Sequence, residues 1–136
     1  MKRAVVVVTV LVSVLLVPWS ANATPLPSSI AGLGDSITRA ADVCCWYGDH
    51  PGQSWSTGYT SYDGITSHYE RLVTIDPAIV GHEHNDAVSG AKARDLPTQV
   101  SSAIAQHAQY VTILIGGNDL CTSSVSTMTS ISNFAT

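Results

Sequence analysis

The order of apolar and polar segments after residue 28 is the feature that most restricts the fold. Short apolar segments at 29–33, 78–81 and 110–115 predict strands, and helical periodicity predicts helices over 63–75 and 97–107. A last helix is predicted from Ser123 or Ser124 onward. Strands that alternate with helices favour right-handed crossovers and a parallel sheet covered by helices. We therefore expect an α/β protein with three layers, α/β/α.

The apolar residues within these segments predict which faces are buried. The run at 110–115 is almost continuously apolar, which suits a strand that is covered on both faces. The faces expected to be buried in the three helices are Ile65, Tyr69, Leu72 and Val73; Val100, Ala103, Ile104 and His107; and Val125, Met128, Ile131 and Phe134.

The first 23 residues have the pattern of a signal peptide. Lys2 and Arg3 precede an apolar run from Ala4 to Val17, and Ala21-Asn22-Ala23 fits a signal-peptidase site. An uncleaved anchor is the alternative, but the run is shorter than the ~20 residues of a comfortable membrane span. We expect a secreted protein without a stable membrane anchor, in which residues 24–136 form one domain.

The charge balance argues against a nucleic-acid partner. Without residues 1–23, four basic residues remain against all ten acidic ones, which gives a formal charge of −6. Nucleic-acid binding depends on basic patches, which this composition does not supply. A neutral small molecule, lipid or carbohydrate ester is compatible with it.

The three cysteines leave the disulfide pattern open. Cys44 and Cys45 are adjacent, so a bridge from one of them to Cys121 and a partner outside this sequence are both possible. Zinc-type Cys/His spacing is missing from the sequence, and so are the GxGxxG and GxxxxGK[ST] patterns of nucleotide sites. We expect neither a metal nor a cofactor.

Polar segments follow each predicted strand, at 34–36, 85–90 and 116–119. In open parallel sheets ligands bind beyond the carboxyl ends of the strands, so we expect these segments to meet at one edge. Ser36 is either a helix cap or a nucleophile, and this convergence favours the nucleophile. Gly90 could offer a backbone N–H, and Asn118 a side-chain N–H, to the oxyanion that forms in acyl transfer.

The same three segments resemble sequence blocks of the GDSL, or SGNH, hydrolases. Gly34-Asp35-Ser36 is similar to the first block, residues 85–91 (Asn-x-Ala-x-Ser-Gly-Ala) to the glycine block, and residues 116–119 (Gly-Gly-Asn-Asp) to the GxND block. The resemblance implies a flavodoxin-like three-layer fold and ester hydrolysis through an acyl-serine intermediate. It implies that Ser36 is the nucleophile and an oxyanion donor, and that Gly90 and Asn118 complete the oxyanion hole.

The sequence departs from this family at the catalytic base. The family's histidine lies in an Asp-x-x-His block near the C-terminus, and that pattern does not occur in the 136 residues. The family sheet also has more strands than the three predicted here. We therefore expect the N-terminal part of a longer hydrolase, inactive alone, in which 110–115 is an exposed apolar edge. A naturally short form is the alternative.

The histidines that are present do not replace this base. His82 and His84 lie near the end of the second predicted strand and could approach Ser36 or bind a metal, but exposed loop positions are the simpler interpretation. His107 is expected on a helix face, and His50 and His68 carry no signal. The resemblance gives Asp119 no proton-transfer role, so we expect it to be structural.

The long segment at 40–62 carries aromatic residues that have two interpretations. Its glycines and Pro51 predict a loop. The loop is either packed on the surface or forms an aromatic wall beside a pocket. The residues concerned are Trp46, Tyr47, Trp55 and Tyr59.

Together these features predict a secreted serine ester hydrolase. Its substrate would be a carboxylic ester of a lipid, a short-chain acid or an acetylated carbohydrate. A non-catalytic protein that keeps the pocket and binds acylated ligands is one alternative. A flavodoxin-like nucleotide module is another, which the missing phosphate-binding patterns disfavour.

Overall fold

The computed structural model describes residues 25–44 and 46–135, so the predicted signal peptide (1–23) and Cys45 lie outside the described residues. The short 3-10 helices are Pro51–Gln53, Pro77–Ile79, Ala93–Asp95 and Val125–Thr127. Within the described ranges, none of the helices has the length and apolar character needed to cross a membrane. The strands and α-helices, in chain order, are β1 (Ile30–Gly34), α1 (His68–Ile75), β2 (Glu83–Asn85), α2 (Leu96–Ala105), β3 (Tyr110–Leu114), α3 (Gly117–Leu120) and α4 (Ile131–Phe134).

The strands of the described chain form one parallel sheet in the order β2-β1-β3. In the register of the sheet, Ile30 lies opposite both Glu83 and Tyr110. All five residues of β1 are buried, because this strand is paired on both sides and covered on both faces. The parallel sheet and the α/β class predicted from the sequence are confirmed.

The two faces of the sheet carry separate apolar cores, which gives the three layers. On one face, Ile30 packs with Tyr69 of α1 and with Ile79. On the other face, Ala31 and Leu33 pack with Ala103 of α2. Ile30, Leu33 and Ile79 are fully buried. Burial of each such side chain stabilises the fold by about 1.5–3 kcal/mol.

Helix α1 begins at His68, five residues after the predicted start. Ser67 caps it, because the Ser67 hydroxyl accepts from the Glu70 N–H at 3.0 Å while the Glu70 carboxylate accepts from the Ser67 N–H at 2.8 Å. Leu72 and Val73 pack beside Tyr69 as predicted. Ile65 precedes the helix and is exposed, so its predicted place on the buried face is wrong.

The predicted second strand at 78–81 is wrong. Residues Pro77–Ile79 form a 3-10 helix in which the Asp76 carboxylate accepts from the Ala78 N–H at 3.0 Å. Gly81 then has a φ of +81°, a left-handed conformation that reverses the chain and delays the strand to Glu83. The strand itself is a polar segment that pairs through its backbone, so its side chains gave no apolar signal.

Helix α2 confirms a predicted helix, but its buried face differs from the prediction. Ala103 is buried as expected, whereas Val100 and Ile104 are exposed and Gln99 is buried instead. His107 lies beyond the helix end, is exposed, and has a φ of +56°. The prediction that His107 lies on a helix face is therefore wrong.

The edge strand β3 and the segment after it are less covered than predicted. Val111 and Ile113 of β3 are 40% and 53% exposed, so the expectation of a strand covered on both faces is wrong, whereas the expectation of an exposed apolar edge is confirmed. The single last helix from 123 or 124 is also wrong, because Val125–Thr127 and Ile131–Phe134 form two short helices. Ile131 is 90% exposed, since the described sheet offers that amphipathic face no surface to cover.

Candidate active site

The turn after β1 carries the side chains of Asp35 and Ser36. Asp35 is buried, and its carboxylate accepts from the Ile37 N–H at 3.0 Å. Ser36 is half-buried, and its carbonyl accepts from the Ala41 N–H at 2.9 Å. Its hydroxyl makes no hydrogen bond within the described residues. The alternative interpretation of Ser36 as a helix cap is not supported, since the chain after it forms turns and the next helix of the described residues begins at Pro51.

Gly34 brings this turn against the end of β3. Its φ is +142°, and a Cβ at this position would collide with the Leu114 carbonyl oxygen. The Gln99 side chain pairs with the same residue, since its Oε1 accepts from the Gly34 N–H at 2.7 Å and its Nε2 donates to the Gly34 carbonyl at 2.9 Å. A buried amide from α2 thus fixes the backbone two residues before Ser36.

The turn after β2 presents Gly90 at the surface. It is tied to β1 because the Val88 N–H donates to the Gly34 carbonyl at 3.1 Å, and it closes through the Ala91 N–H and the Val88 carbonyl at 2.9 Å. Gly90 has a φ of +85°, and no heavy atom lies within 4 Å of where its Cβ would be. Left-handed backbone rather than crowding is what favours glycine here.

Two side chains of the segment after β3 form hydrogen bonds with the backbone that follows Gly90. Asn118 Nδ2 donates to the Ala91 carbonyl at 2.9 Å, and an Asp119 carboxylate oxygen accepts from the Ala93 N–H at 2.9 Å. Asn118 is half-buried, and its amide has a second N–H that donates no hydrogen bond within the described residues. A Cβ on Gly117 would lie 3.4 Å from Asp35 Oδ2, so this segment also touches the Ser36 turn.

Asp49, in the long loop, bonds Ser89 of the segment after β2 and Arg39, which follows the Ser36 turn. Its Oδ1 accepts from the Ser89 hydroxyl at 2.6 Å, and its Oδ2 accepts from Arg39 Nε at 2.9 Å. The Ser89 hydrogen bond and the Arg39 guanidinium hold the pKa of the Asp49 carboxyl below its ordinary value, although partial burial opposes them. Arg39 also donates from Nη1 to the Asn85 carbonyl at 3.2 Å.

The Asp119 carboxylate has the same direction of pKa shift for other reasons. Burial by itself raises the pKa of Asp119, but the nearby Thr129 side chain and the hydrogen bond from the Ala93 N–H outweigh it, helped by the charges of Lys92 and Arg94. The net result is a pKa below the ordinary value of an aspartate. Its place in the fold agrees with the structural role that we expected for it.

The predicted alternatives for His82 and His84 do not fit the fold. His84 lies within β2 opposite Ala31, and the His82 carbonyl accepts from the Ile30 N–H. Both therefore lie toward the amino end of β1, whereas Ser36 follows its carboxyl end. Four steps along the strand, at about 3.3 Å each, separate Ile30 from Gly34, and this distance exceeds the reach of a histidine side chain. The described residues also contain no group of three histidine, cysteine or acidic side chains that could hold a metal ion.

The remaining histidines have structural partners. His50 Nε2 lies 3.0 Å from the Trp46 carbonyl, and its Nδ1 lies 3.9 Å from Cys44 Sγ. His68 Nδ1 lies 2.9 Å from the Tyr110 hydroxyl. Within the described residues, none of the five histidines forms a hydrogen bond with Ser36, so the structure identifies no base for it there.

The aromatic residues of the long loop form only part of the predicted wall. Trp46 and Tyr59 line a surface cleft of about 450 Å³ that also holds Asp49 and His50. Trp55 instead packs edge-on against His68, at a ring-centroid distance of 5.4 Å. Tyr47, although 93% exposed, borders with Trp46 a further surface cleft of about 300 Å³. Another cleft, of about 400 Å³, is bordered by Gly90 and Gln99.

Cys44 and Cys121 are both free thiols in the structure. Cys44 Sγ donates to Gln53 Oε1 at 3.0 Å, and Cys121 is exposed beyond α3. The suggested bridge between these two residues is therefore not formed. The suggested bridge from Cys45 lies outside the described residues.

Sequence reasoning missed Asp49, Arg39 and Gln99. Gln99 had a usable signal, because a glutamine lies between Leu96 and Ala103 on the stripe of α2 that packs on the sheet. A polar residue at such a position needs a buried partner. Asp49 and Arg39 had none, since charged residues in a loop are normally solvated.

The fold and site define a three-layer α/β protein of flavodoxin-like type, with its polar cluster at the carboxyl ends of three parallel strands. The model of the GDSL-like lipase/acylhydrolase family matches residues 30–135, and the chain belongs to that family. A search of the curated proteins and a search of the solved structures each returned no match. Membership of the family supports a general esterase or acylhydrolase function. It assigns no roles to individual residues.

Proposed function

We propose that this protein is a secreted carboxylic-ester hydrolase that works through an acyl intermediate on Ser36. The observation that carries the proposal is the difference in hydrogen bonding between two neighbouring side chains, Asp35 and Ser36. The Asp35 carboxylate accepts from the Ile37 N–H, whereas the Ser36 hydroxyl makes no hydrogen bond within the described residues and lies just beyond the carboxyl end of the central strand. This is the edge where ligands bind in open parallel sheets.

The proposed reaction has two acyl-transfer steps. Ser36 Oγ bonds to the carbonyl carbon of the ester and loses its proton to a base, and the collapsing tetrahedral intermediate expels the alcohol, which takes up that proton. Water then gives one proton to the base as its oxygen bonds to the carbonyl carbon of the acyl-serine. The carbonyl carbon–Oγ bond breaks, Oγ takes up that proton to restore the Ser36 hydroxyl, and the carboxylic acid leaves. A serine hydroxyl is a weak nucleophile unless a neighbouring base takes its proton.

Three N–H groups are the proposed oxyanion donors. The Ser36 and Gly90 backbone N–H groups donate to no other group within the described residues, and Asn118 keeps one amide hydrogen free. Loss of one such donor typically costs about 2.7–4 kcal/mol of transition-state stabilisation. The cleft beside Gly90 would receive part of the ester. The proposed substrate class is a carboxylic ester of a lipid, a short-chain acid or an acetylated carbohydrate.

The proposal is tested by covalent labelling of the protein expressed from the complete gene. A serine-directed phosphonate should label Ser36, and Ser36→Ala should remove both the label and the hydrolysis of p-nitrophenyl acetate. Ser101→Ala is the matched control, since Ser101 is an exposed serine of α2 whose hydroxyl donates to the Pro97 carbonyl of the same helix.

Labelling of a different serine would overturn the assignment of Ser36. A protein that binds acylated ligands without turnover, and that is not labelled at all, would support the non-catalytic alternative.

A further inference from the structure

The Gly90 turn depends on its neighbours for its position. Its Cβ site touches no heavy atom and residues 88–90 are exposed, so packing holds only the two ends of the turn, at the buried Ala87 and Ala91. Its backbone bond from Val88 to Gly34 fixes the start of the turn, and Asn118 fixes the far side through the Ala91 carbonyl. What orients Gly90 between these two anchors is the residue immediately before it.

Ser89 supplies that orientation through its hydroxyl. The Ser89 hydroxyl donates to Asp49 Oδ1 at 2.6 Å, across 40 positions of sequence. A hydrogen bond to an ionised carboxylate is roughly twice as strong as one between neutral groups. This contact therefore restrains the peptide unit that carries the Gly90 N–H.

Asp49 is itself held from the side of the Ser36 turn. Arg39 Nε donates to the second carboxylate oxygen at 2.9 Å, and the His50 N–H donates to the Arg39 carbonyl at 3.1 Å. Arg39 also bonds the Asn85 carbonyl at the end of β2. Asp49 thus connects the segment that carries Ser36 with the segment that carries Gly90.

We propose that Asp49 is a positioning residue, which sets the distance between the Ser36 turn and the Gly90 N–H through its paired bonds to Arg39 and Ser89. The inference rests on the proposed function, because it concerns the oxyanion hole of that reaction. Asp49 touches no substrate in this proposal and acts only through Ser89. The sequence gives no sign of this role, because Asp49 lies in a loop outside all three polar segments.

The exposure of the pair makes activity a better readout than stability. The Arg39 and Asp49 side chains are 26% and 32% exposed, and ion pairs that reach solvent contribute little to folding. Misplacement of a catalytic group by about 1 Å, however, can cost up to about 100-fold in rate. Variants of Asp49 should therefore fold normally and react slowly.

The test is a double-mutant cycle in the protein expressed from the complete gene, with p-nitrophenyl acetate as substrate. We expect Asp49→Ala and Ser89→Ala each to lower kcat about 10-fold, with KM within about 2-fold and an unchanged melting temperature. The double variant should lose no more than either single variant, because both changes break the same link. Ser89→Thr keeps the hydroxyl and should restore kcat.

Asp63→Ala is the matched control, because Asp63 is an acidic residue just after the long loop whose carboxylate, within the described residues, accepts from the nearby Ile65 N–H alone. The inference would be overturned by a double variant whose fall in kcat is the product of the two single falls. An effect on KM alone, or a normal kcat in Asp49→Ala, would also overturn it. If Ser36→Ala retains full activity, the proposed function itself fails. If only Ser36→Ala is inactive, the proposed function stands and the role of Asp49 falls.

Discussion

At the scale of single residues, the backbone around Ser36 is held by side chains that bind main-chain groups. Gln99 pairs with both backbone groups of Gly34, and Asp35 pairs with the Ile37 N–H. Such bonds leave the Ser36 hydroxyl free while they fix its peptide. A net hydrogen bond contributes about 1 kcal/mol, but an unpaired buried group costs about 1–3 kcal/mol, so these contacts matter most when one partner is lost.

Asn118 should be the clearest donor to test. Asn118→Ala removes the free N–H proposed for the oxyanion, so we expect kcat to fall by about 10²- to 10³-fold with little change in KM. The measurement is steady-state hydrolysis of p-nitrophenyl acetate by the protein from the complete gene. A melting temperature taken alongside separates this effect from the lost bond to Ala91. Near-normal kcat in a folded variant would contradict the role.

At the scale of elements, the end of α2 carries a strained residue. The Ala108 N–H donates to the Ala103 carbonyl and the His107 N–H to the Ile104 carbonyl, both at 3.0 Å, which together form a Schellman motif. His107 occupies the left-handed position of that motif, with a φ of +56°, where glycine is preferred. The helix therefore ends by hydrogen bonding, against the conformational preference of the residue at its end.

Replacement of His107 by glycine should stabilise the protein. His107→Gly relieves the left-handed strain, and after the greater flexibility of the unfolded chain is subtracted, we expect a gain of about 0.5–1 kcal/mol. Urea denaturation measures it, with His107→Ala as the control that removes the imidazole but keeps the Cβ. An equal gain in both variants would attribute the effect to the imidazole instead.

The strands that the sequence located correctly are those with short apolar runs. β1 and β3 lie within one residue of their predicted bounds, because Leu33 and Ile113 belong to short apolar runs that end at glycine. β2 was misplaced because Glu83 and His84 pair by backbone alone. The prediction of one last helix was wrong although its residues do carry an apolar signal. Its amphipathic pattern is real, but Ile131 meets no covering surface among the described residues.

The candidate site was also predicted only in part. Glycines and short polar motifs predicted the segments of Ser36, Gly90 and Asn118, whose catalytic roles stay predictions. Their mutual contacts required tertiary information, since the bond from Asn118 to Ala91 spans 27 positions and that from Ser89 to Asp49 spans 40. A single sequence does not contain that pairing.

At the scale of the whole molecule, the buried Asp119 carboxylate should make stability depend on pH. Its folded pKa lies below the ordinary aspartate value, so its contribution is fully present above that ordinary value and is lost as pH falls through the folded pKa. We expect wild type to exceed Asp119→Asn in free energy of unfolding at pH 7, and the difference to shrink below pH ~4. Urea midpoints at pH 7, 5 and 3 measure it; a constant difference would contradict the argument.

Residues 24–136 alone should hydrolyse esters little or not at all. None of the five histidines bonds Ser36 within the described residues, so the hydroxyl lacks a base there, and oxyanion donors alone leave roughly 10³- to 10⁴-fold over water. The comparison is p-nitrophenyl acetate hydrolysis by this segment and by the protein from the complete gene, with Ser36→Ala as the blank. Equal rates in the two proteins would require a base within the segment.

The place of β1 at the centre of the sheet also determines when the site can form during synthesis. Neither neighbour of β1 is close in sequence, and the Ser29–Gln109 contact beside it joins residues 80 positions apart. At about 5–20 residues per second, the ribosome needs several seconds after Ser36 to produce β3. Until then the apolar strand that precedes Ser36 has no β3 partner, and the nascent chain must carry it unprotected, which makes this segment a natural client for a holding chaperone.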